Sequence, residues 1–343
     1  MIGAITGQIL GGALVQLDLF GWGWRLVFFV NIPIGIATIL LGARLLPRNR
    51  SATRPQLDPI GAIGVTCALG LALIPLMLGR SQGWPSWLVV SLVLALPVGV
   101  LTLLYEARLA RRGGQPVLDL TLFAARSFSS GLVVNACVFA YFGSILLGLT
   151  LFLQRGLGMS ALAAGLSFAP LGVGLITMSL LARPLIARHG SRVVTGGLVV
   201  VFLALIGMLV DIHLSGTATD PARLAPLFLA IGIGNGCVVP ALIGVSLTDV
   251  LPQKAGAAAG TLATSQQFAT VAGIAVLSEI FFAALGQPTT EQNYLTAVQY
   301  VLLLDLGFVV ASFVASLFLP RLRATVPSRA QPPVEPVAAT ESA

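Results

Sequence analysis

The sequence predicts an all-α integral membrane protein, and three observations carry that prediction. Of the 343 residues, 57% are hydrophobic and only 9% are Asp, Glu, Lys or Arg, whereas soluble domains run near ~45–50% apolar and ~25% charged. Too few charges remain to cover the surface of a water-soluble fold of this size. The apolar residues also fall into runs close to the ~20 residues a helix needs to cross a bilayer. Finally, those runs lack the apolar–polar alternation of a membrane β-barrel.

Ten runs qualify as spans: 2–17, 26–46, 60–79, 87–105, 129–153, 162–182, 193–210, 224–247, 257–284 and 297–319. The first is the shortest and begins at once, with no charge before Asp18 and no basic residue before Arg25. Without a basic leading region it does not read as a secretory signal. Loops enriched in Lys and Arg face the cytoplasm. Fifteen of the 19 basic residues lie after the second, fourth, sixth and eighth spans or in the C-terminal tail. Arg25, Arg80, Arg155 and Arg223 occupy the opposite loops. Both chain ends are therefore predicted to be cytoplasmic. Residues 321–343 hold four prolines and no aromatic residue, a composition that predicts a disordered tail.

Several chemistries are excluded by what is missing. The net charge of +7 comes from short basic runs between apolar stretches, a membrane-loop pattern rather than a nucleic-acid-binding face. Cys67, Cys137 and Cys237 are far apart within apolar runs and read as small buried hydrophobes. His189 and His213 are assigned to loops and form no cluster. The single lysine, Lys254, follows Gln253, so there is no phosphate-binding loop, and neither GxSxG nor HExxH occurs. "GIGNG" (232–236) lies inside an apolar run with no strand before it and reads as helix packing. No enzyme activity, cofactor or metal is expected. A secondary transporter drawing on an ion gradient is the leading class.

Gly3, Gly7 and Gly11 recur every four residues on one helix face, with Gly12 beside them, a face that admits close helix–helix approach. A short turn then leads to Trp24, Arg25, Asn31 and Pro33. Trp22 and Trp24 suit an interfacial anchor, and Asn31 is placed to bond the carbonyl that Pro33 frees. This arrangement resembles the fifth and sixth helices of the fourteen-span drug:proton antiporters of the major facilitator superfamily. Gln8 stands where that family carries Pro. The resemblance continues through "LDPIGAIG" (57–64), "PVLDLTLFAARSF" (116–128), "FLQRGLGMSALAAGLSFAP" (152–170), "GIGNGCVVP" (232–240) and "AGIAVLSEIF" (272–281). "ARPLIARHGSR" (182–192) resembles the superfamily's cytoplasmic loop motif, with Ala187 in place of its acidic residue. There Gly190 supplies the turn, while Arg188 and Arg192 can bond helix carbonyls.

The resemblance implies a partial major facilitator fold with ten transmembrane helices. Residues 1–55 become the last two helices of the N-terminal bundle, 56–115 two extra linker helices, and 116–320 the C-terminal six-helix bundle. The first four helices would be lacking, so the chain is expected to be the C-terminal part of a longer transporter. Its implied activity is proton-coupled export of lipophilic or cationic drugs across the cell membrane, the bacterial inner membrane. The alternative is a non-transporting membrane fragment or helix-association partner. The implied partners are the lipid bilayer, a small lipophilic or cationic substrate and protons, with the oligomeric state open.

Intramembrane ionisable groups are functional candidates because they are costly there. Asp305 lies ~12 Å into the tenth span, and Ser312 and Ser316 share its face. Glu279 lies ~8 Å from the end of the ninth span. Both are proton-coupling candidates. By likeness to the family, the fifth, sixth, eighth and ninth spans line the cavity, offering Asn135, Tyr141, Gln154, Asn235, Gln266 and Gln267. Helix–helix hydrogen bonding is the competing role for each. Phe139, Phe142, Phe152 and Phe268 are candidates to stack a flat drug.

Overall fold

The computed structural model describes residues 2–17, 21, 23–45, 58–114, 116–286 and 290–320. Trp22, the linker 46–57 and the predicted tail 321–343 lie outside the described residues. The chain opens with α1 (Ile2–Leu17), then α2 (Leu26–Phe29) and α3 (Asn31–Leu45). A hairpin follows, of α4 (Pro59–Gln82) and α5 (Ser86–Arg111). Next come α6 (Arg126–Leu151), α7 (Ala161–Ser167), α8 (Ala169–His189), α9 (Arg192–Ser215), α10 (Pro221–Ser246), α11 (Ala255–Leu285) and α12 (Glu291–Ser316).

Among the described residues, nine helical stretches are long and apolar enough to cross a membrane. The first predicted span, α1, is not among them and has 16 residues. At 1.5 Å per residue it is about 24 Å long, short of a ~30 Å hydrocarbon core.

Helix starts follow from local chemistry. Asp58, Ser160, Asp220 and Thr290 each accept a hydrogen bond from a first-turn amide, which satisfies a donor the helix cannot. Proline follows at Pro59 and Pro221, where no amide is needed. The 161–189 span is interrupted at Phe168, just before Pro170, which has no N–H to offer the preceding turn. α6 runs on into a single wide turn, Phe152–Gly156.

The bundle of α6 to α12 is held by close backbone approach. A Cβ at Gly234 would lie 2.7 Å from the Gly197 carbonyl of α9, and one at Gly236 2.7 Å from the Leu175 carbonyl of α8. A Cβ at Gly232 would overlap the Leu171 carbonyl. "GIGNG" is thus a packing element that serves two neighbours of α10 at once. On the other side, Gly143 of α6 meets Thr270 of α11, and Gly273 of α11 meets Ala140 of α6.

The glycine face of α1 docks on this bundle: a Cβ at Gly12 would lie 2.6 Å from the Ala161 carbonyl at the start of α7. A Cβ at Gly11 would lie 4.0 Å from the Val27 side chain, and nothing lies within 4 Å of a Cβ at Gly7. Gly3 belongs to the first turn of the same helix. By contrast, no residue of α3 is buried, and Ile39 and Leu45 are 72% and 76% exposed. Asn31 Nδ2 donates to Val27 O at 3.2 Å, not to the carbonyl two residues later that Pro33 frees. Trp24 is exposed, with the Arg25 guanidinium 5.1 Å from its ring centroid.

The α4–α5 hairpin is joined to the bundle at one end by Arg80 Nη1 and Glu279 Oε2, 3.2 Å apart. At its other end, Asp58 caps α4 and accepts from the Tyr105 hydroxyl at 3.2 Å, beside the fully buried Glu106. Cys67 is exposed on α4 rather than buried, because the hairpin presents most of its surface outward; Cys237 is buried. His189 and His213 occupy the last turns of α8 and α9 rather than loops.

The segments leading into α6 and α11 are clamped together. Lys254 Nζ lies 2.7 Å from Asp119 Oδ2 and 2.5 Å from Thr121 Oγ1. Burial opposes ionisation of Asp119, but the hydrogen bonds from Lys254 and Thr121 outweigh it and hold the carboxyl below its ordinary value. A lowered folded-state value means stability that is present at neutral pH and lost as pH falls from the ordinary value of ~3.9 through the lowered one. Melting temperature measured from about pH 7 to about pH 3 should therefore fall in wild type, and Lys254→Met should flatten part of that fall. A second expectation concerns packing: Gly234→Val should destabilise the bundle by roughly 1–3 kcal/mol, read as a lower melting temperature in detergent.

Candidate functional site

A cavity of about 480 Å³ lies between α6, α8, α10 and α11. Its α10 wall comes from Asn235, Val239 and Ile243, spaced four apart and so on one helix face. The α6 wall is Val138, Phe139 and Phe142; α11 contributes Gln266 and α8 contributes Leu175. Pro240, within α10, also lines it. No charged side chain is among the lining residues.

The polar groups here are bonded across helices. Tyr141 Oη, fully buried on α6, donates to Asn235 Oδ1 at 2.6 Å. Asn235 Nδ2 donates to Ile231 O at 3.0 Å within α10. Gln266 Nε2 donates to Asn135 Oδ1 at 3.1 Å, and Asn135 Nδ2 donates to Leu262 O at 3.2 Å. Each buried amide thereby offsets its loss of water. These bonds leave Gln266 Oε1 as an acceptor and one hydrogen of Asn235 Nδ2 as a donor. A ligand here meets two aromatic rings, aliphatic walls and two neutral amides.

The structure brings four of the six expected polar residues together: Asn135, Tyr141, Asn235 and Gln266. Gln154 instead borders a separate space of about 250 Å³ between the wide turn after α6 and the Gly7, Gly11 and Gly12 face of α1. Gln267 is exposed and does not line the cavity, since one residue on a helix turns the side chain ~100° away. Of the aromatics, Phe139 and Phe142 line it. Phe152 is fully buried in the bundle core, and Phe268 is not in the lining. The residues missed beforehand, Val138, Leu175, Val239, Pro240 and Ile243, are apolar. The available signal was helical spacing: Val138 is three residues from Asn135, and Val239 and Ile243 are four and eight from Asn235.

Asp305 is fully buried on α12 with both carboxyl oxygens free of hydrogen bonds. Ser144 of α6 lies beside it without closing a well-formed bond, and Ser312 and Ser316 are buried on the same face. Glu279 is different: its carboxylate is half-exposed and paired with Arg80. In the loop motif, Gly190 has φ +59°, a left-handed conformation that glycine adopts without strain, and its N–H closes on Ile186 O at 2.8 Å. Arg188 and Arg192 are exposed and make no hydrogen bond or ion pair among the described residues. The expected carbonyl-bonding role of both is not seen, and both side chains are exposed.

A multi-helix membrane bundle, held by glycine contacts around an uncharged cavity, is the class that this geometry defines. The family profile described as Major Facilitator Superfamily matches residues 1–274. The chain belongs to that superfamily and is a multi-pass membrane protein. It is 37% identical over 290 residues, 84% of its length and 50% of the relative's, to the "Probable actinorhodin transporter" of Streptomyces coelicolor. It is 33% identical over 282 residues, 81% of its length and 54% of the relative's, to a puromycin resistance protein of Streptomyces alboniger. It is 31% identical over 283 residues, 81% of its length and 56% of the relative's, to a cephamycin export protein of Amycolatopsis lactamdurans. The chain spans about half the length of the curated relatives it matches.

The two neighbouring glutamines give a test of the cavity. Gln266→Leu should weaken binding of a flat fluorescent aromatic probe and lower the melting temperature, since Asn135 Oδ1 loses its donor at a cost of roughly 1–3 kcal/mol. Gln267→Leu should change neither.

Proposed function

We propose that this chain forms the substrate-binding half of a drug efflux transporter that exchanges protons for flat lipophilic compounds. The observation that carries the reading is the cavity between α6, α8, α10 and α11, with Phe139 and Phe142 as stacking faces and Asn235 and Gln266 as neutral hydrogen-bonding groups. Support comes from relatives similar over more than four fifths of the chain, whose names concern transport of actinorhodin, resistance to puromycin and export of cephamycin. Aromatic faces gain from stacking and desolvation, and the amides fix orientation without requiring a charged substrate. The cavity therefore suits uncharged or weakly charged ring systems better than strongly cationic ones.

Transport in this superfamily takes the form of two bundles rocking about a midplane site. In a fourteen-span arrangement, α6 to α12 form the second bundle, α4 and α5 the linker hairpin, and α1 to α3 the closing helices of the first. The glycine face of α1 packed at Ala161 supports that assignment. Asp305 is the better proton carrier of the two acidic candidates. It is fully buried without a counter-charge, whereas Glu279 is already neutralised by Arg80.

The test is dye accumulation in bacteria stripped of their own efflux pumps. Fused behind the N-terminal half of the actinorhodin transporter relative, the chain should lower accumulation of the uncharged dye Nile red several-fold. Adding an uncoupler, or replacing Phe139 by Ala, should restore it. The chain expressed by itself should leave accumulation unchanged. A well-inserted fusion that does not alter accumulation of Nile red or puromycin overturns the reading.

A further inference from the structure

The base of the α4–α5 hairpin brings two carboxyl groups together with oxygens to spare. Asp58 Oδ1 is committed, accepting from the Gly61 amide at 2.9 Å and from the Tyr105 hydroxyl at 3.2 Å. Asp58 Oδ2 and both oxygens of Glu106 are buried and accept no hydrogen bond. Glu106 is 0% exposed, and its carboxyl is aimed at that of Asp58: a Cβ at Gly61 would overlap both Glu106 Oε1 and Asp58 Oδ2. Two oxygens that would strike the same carbon atom are near neighbours. Glycine at position 61 therefore leaves a space that the two carboxyl groups share. Thr102 is buried one turn earlier on the Glu106 face of α5, and its hydroxyl, which donates to Val98 O, keeps its acceptor capacity. The Val117 and Leu118 amides lie beside Glu106 without closing well-formed bonds.

No basic side chain answers this pair. Arg108, Arg111 and Arg112 are exposed on the same end of the hairpin, and among the described residues none forms an ion pair with Asp58 or Glu106. Adjacent buried carboxylates without a counter-charge are costly. A divalent cation between them removes the repulsion and balances both charges. The side-chain atoms that meet there are oxygens, and no histidine or cysteine joins them in a cluster among the described residues. Such a donor set selects a hard cation over zinc or copper.

We propose that Asp58 and Glu106 hold a hard divalent cation, calcium or magnesium, between them at the base of the α4–α5 hairpin. Asp58 Oδ2 and Glu106 Oε1 are its charged ligands, and water completes the shell. Because Glu106 also lies beside Val117 and Leu118, the ion fixes the hairpin base to the segment that leads into α6. The Arg80–Glu279 pair joins the hairpin to the bundle at the opposite end. The ion is structural, and the proposal stands independently of what the cavity binds.

The experiment uses the full chain purified in detergent, stripped with a chelator and held near neutral pH. Terbium is the probe, a hard ion whose emission a nearby tyrosine, here Tyr105, sensitises. Emission should saturate with terbium and be displaced by calcium or magnesium; whichever displaces at lower concentration is the better occupant. Asp58→Asn keeps the helix cap, since Asn caps as well as Asp. Gly61→Ala keeps both charges but fills their shared space. Each of these, and Glu106→Gln, should weaken terbium binding at least ~tenfold, because affinity follows the charge and geometry of the oxygen ligands. Asp249→Asn, at an exposed acid away from the hairpin, should bind as wild type does. Calcium or magnesium should also raise the melting temperature of wild type and not that of Asp58→Asn. Glu106→Gln that has lost its helical circular dichroism is unfolded, and the other two variants then decide. The proposal is overturned if terbium emission does not saturate or if neither cation displaces it. It is also overturned if Asp58→Asn and Gly61→Ala bind terbium as wild type does. A pair that merely shares a proton gives no rise in melting temperature with either cation, and that result overturns it too.

Discussion

Contact between helix backbones at glycine is the constraint on which the bundle depends. In lipid, hydrocarbon chains are as apolar as leucine, so helices gain little by burying ordinary side chains against each other. What they gain comes from dispersion at short range and from hydrogen bonds that close approach makes possible. α10 meets α8 through Gly232 and Gly236 and meets α9 through Gly234, and α6 meets α11 through Gly143 and Gly273. With the axes drawn together in this way, a short amide on one helix can reach the next. The Gln266–Asn135 bond crosses the α6–α11 contact, and Tyr141 of α6 reaches Asn235, which lies between Gly234 and Gly236 on α10.

The same approach produces the cavity. Glycine removes side chains where helices touch, and bulk is left where they diverge, at Phe139, Phe142, Val239 and Ile243. The polar atoms behind those walls are nearly all paired, as a medium without water demands. Asp305 is an exception within the bundle, because neither of its carboxyl oxygens has a hydrogen-bond partner. At the hairpin, Glu106 is likewise fully buried with both oxygens unpartnered, but it lies beside Asp58 at the head of α4, away from the cavity. Charge elsewhere is managed by pairing: Arg80 with Glu279 and Lys254 with Asp119 join segments distant in sequence.

Much of this was legible in the residue order. Composition and run length gave the membrane class and the positions of nine spans, and the glycine spacing identified α1 and α10 as close-packing elements. The four helices that line the cavity were expected from family likeness. Errors arose where orientation mattered. Gln267 and Gln266 are identical in type and adjacent, yet only one enters the cavity. Phe152 looked like a stacking group but is locked in the core, and Cys67 looked buried but faces outward. Apolar runs in a membrane protein are hydrophobic on all sides, so the periodicity that marks the inner face of a soluble helix is weak here.

The sequence by itself determined that this chain lives in a bilayer, where nine of its ten expected spans lie and which helices can touch closely. Those properties depend on hydrophobic length and on the absence of Cβ atoms, which are local and additive along the chain. Only the tertiary structure decided which polar side chains meet. A hydrogen bond such as Tyr141 to Asn235 joins residues 94 positions apart, and its existence turns on helix rotation and register. Nothing in the lipid-facing chemistry of either helix sets those angles; the packing of all the helices together does.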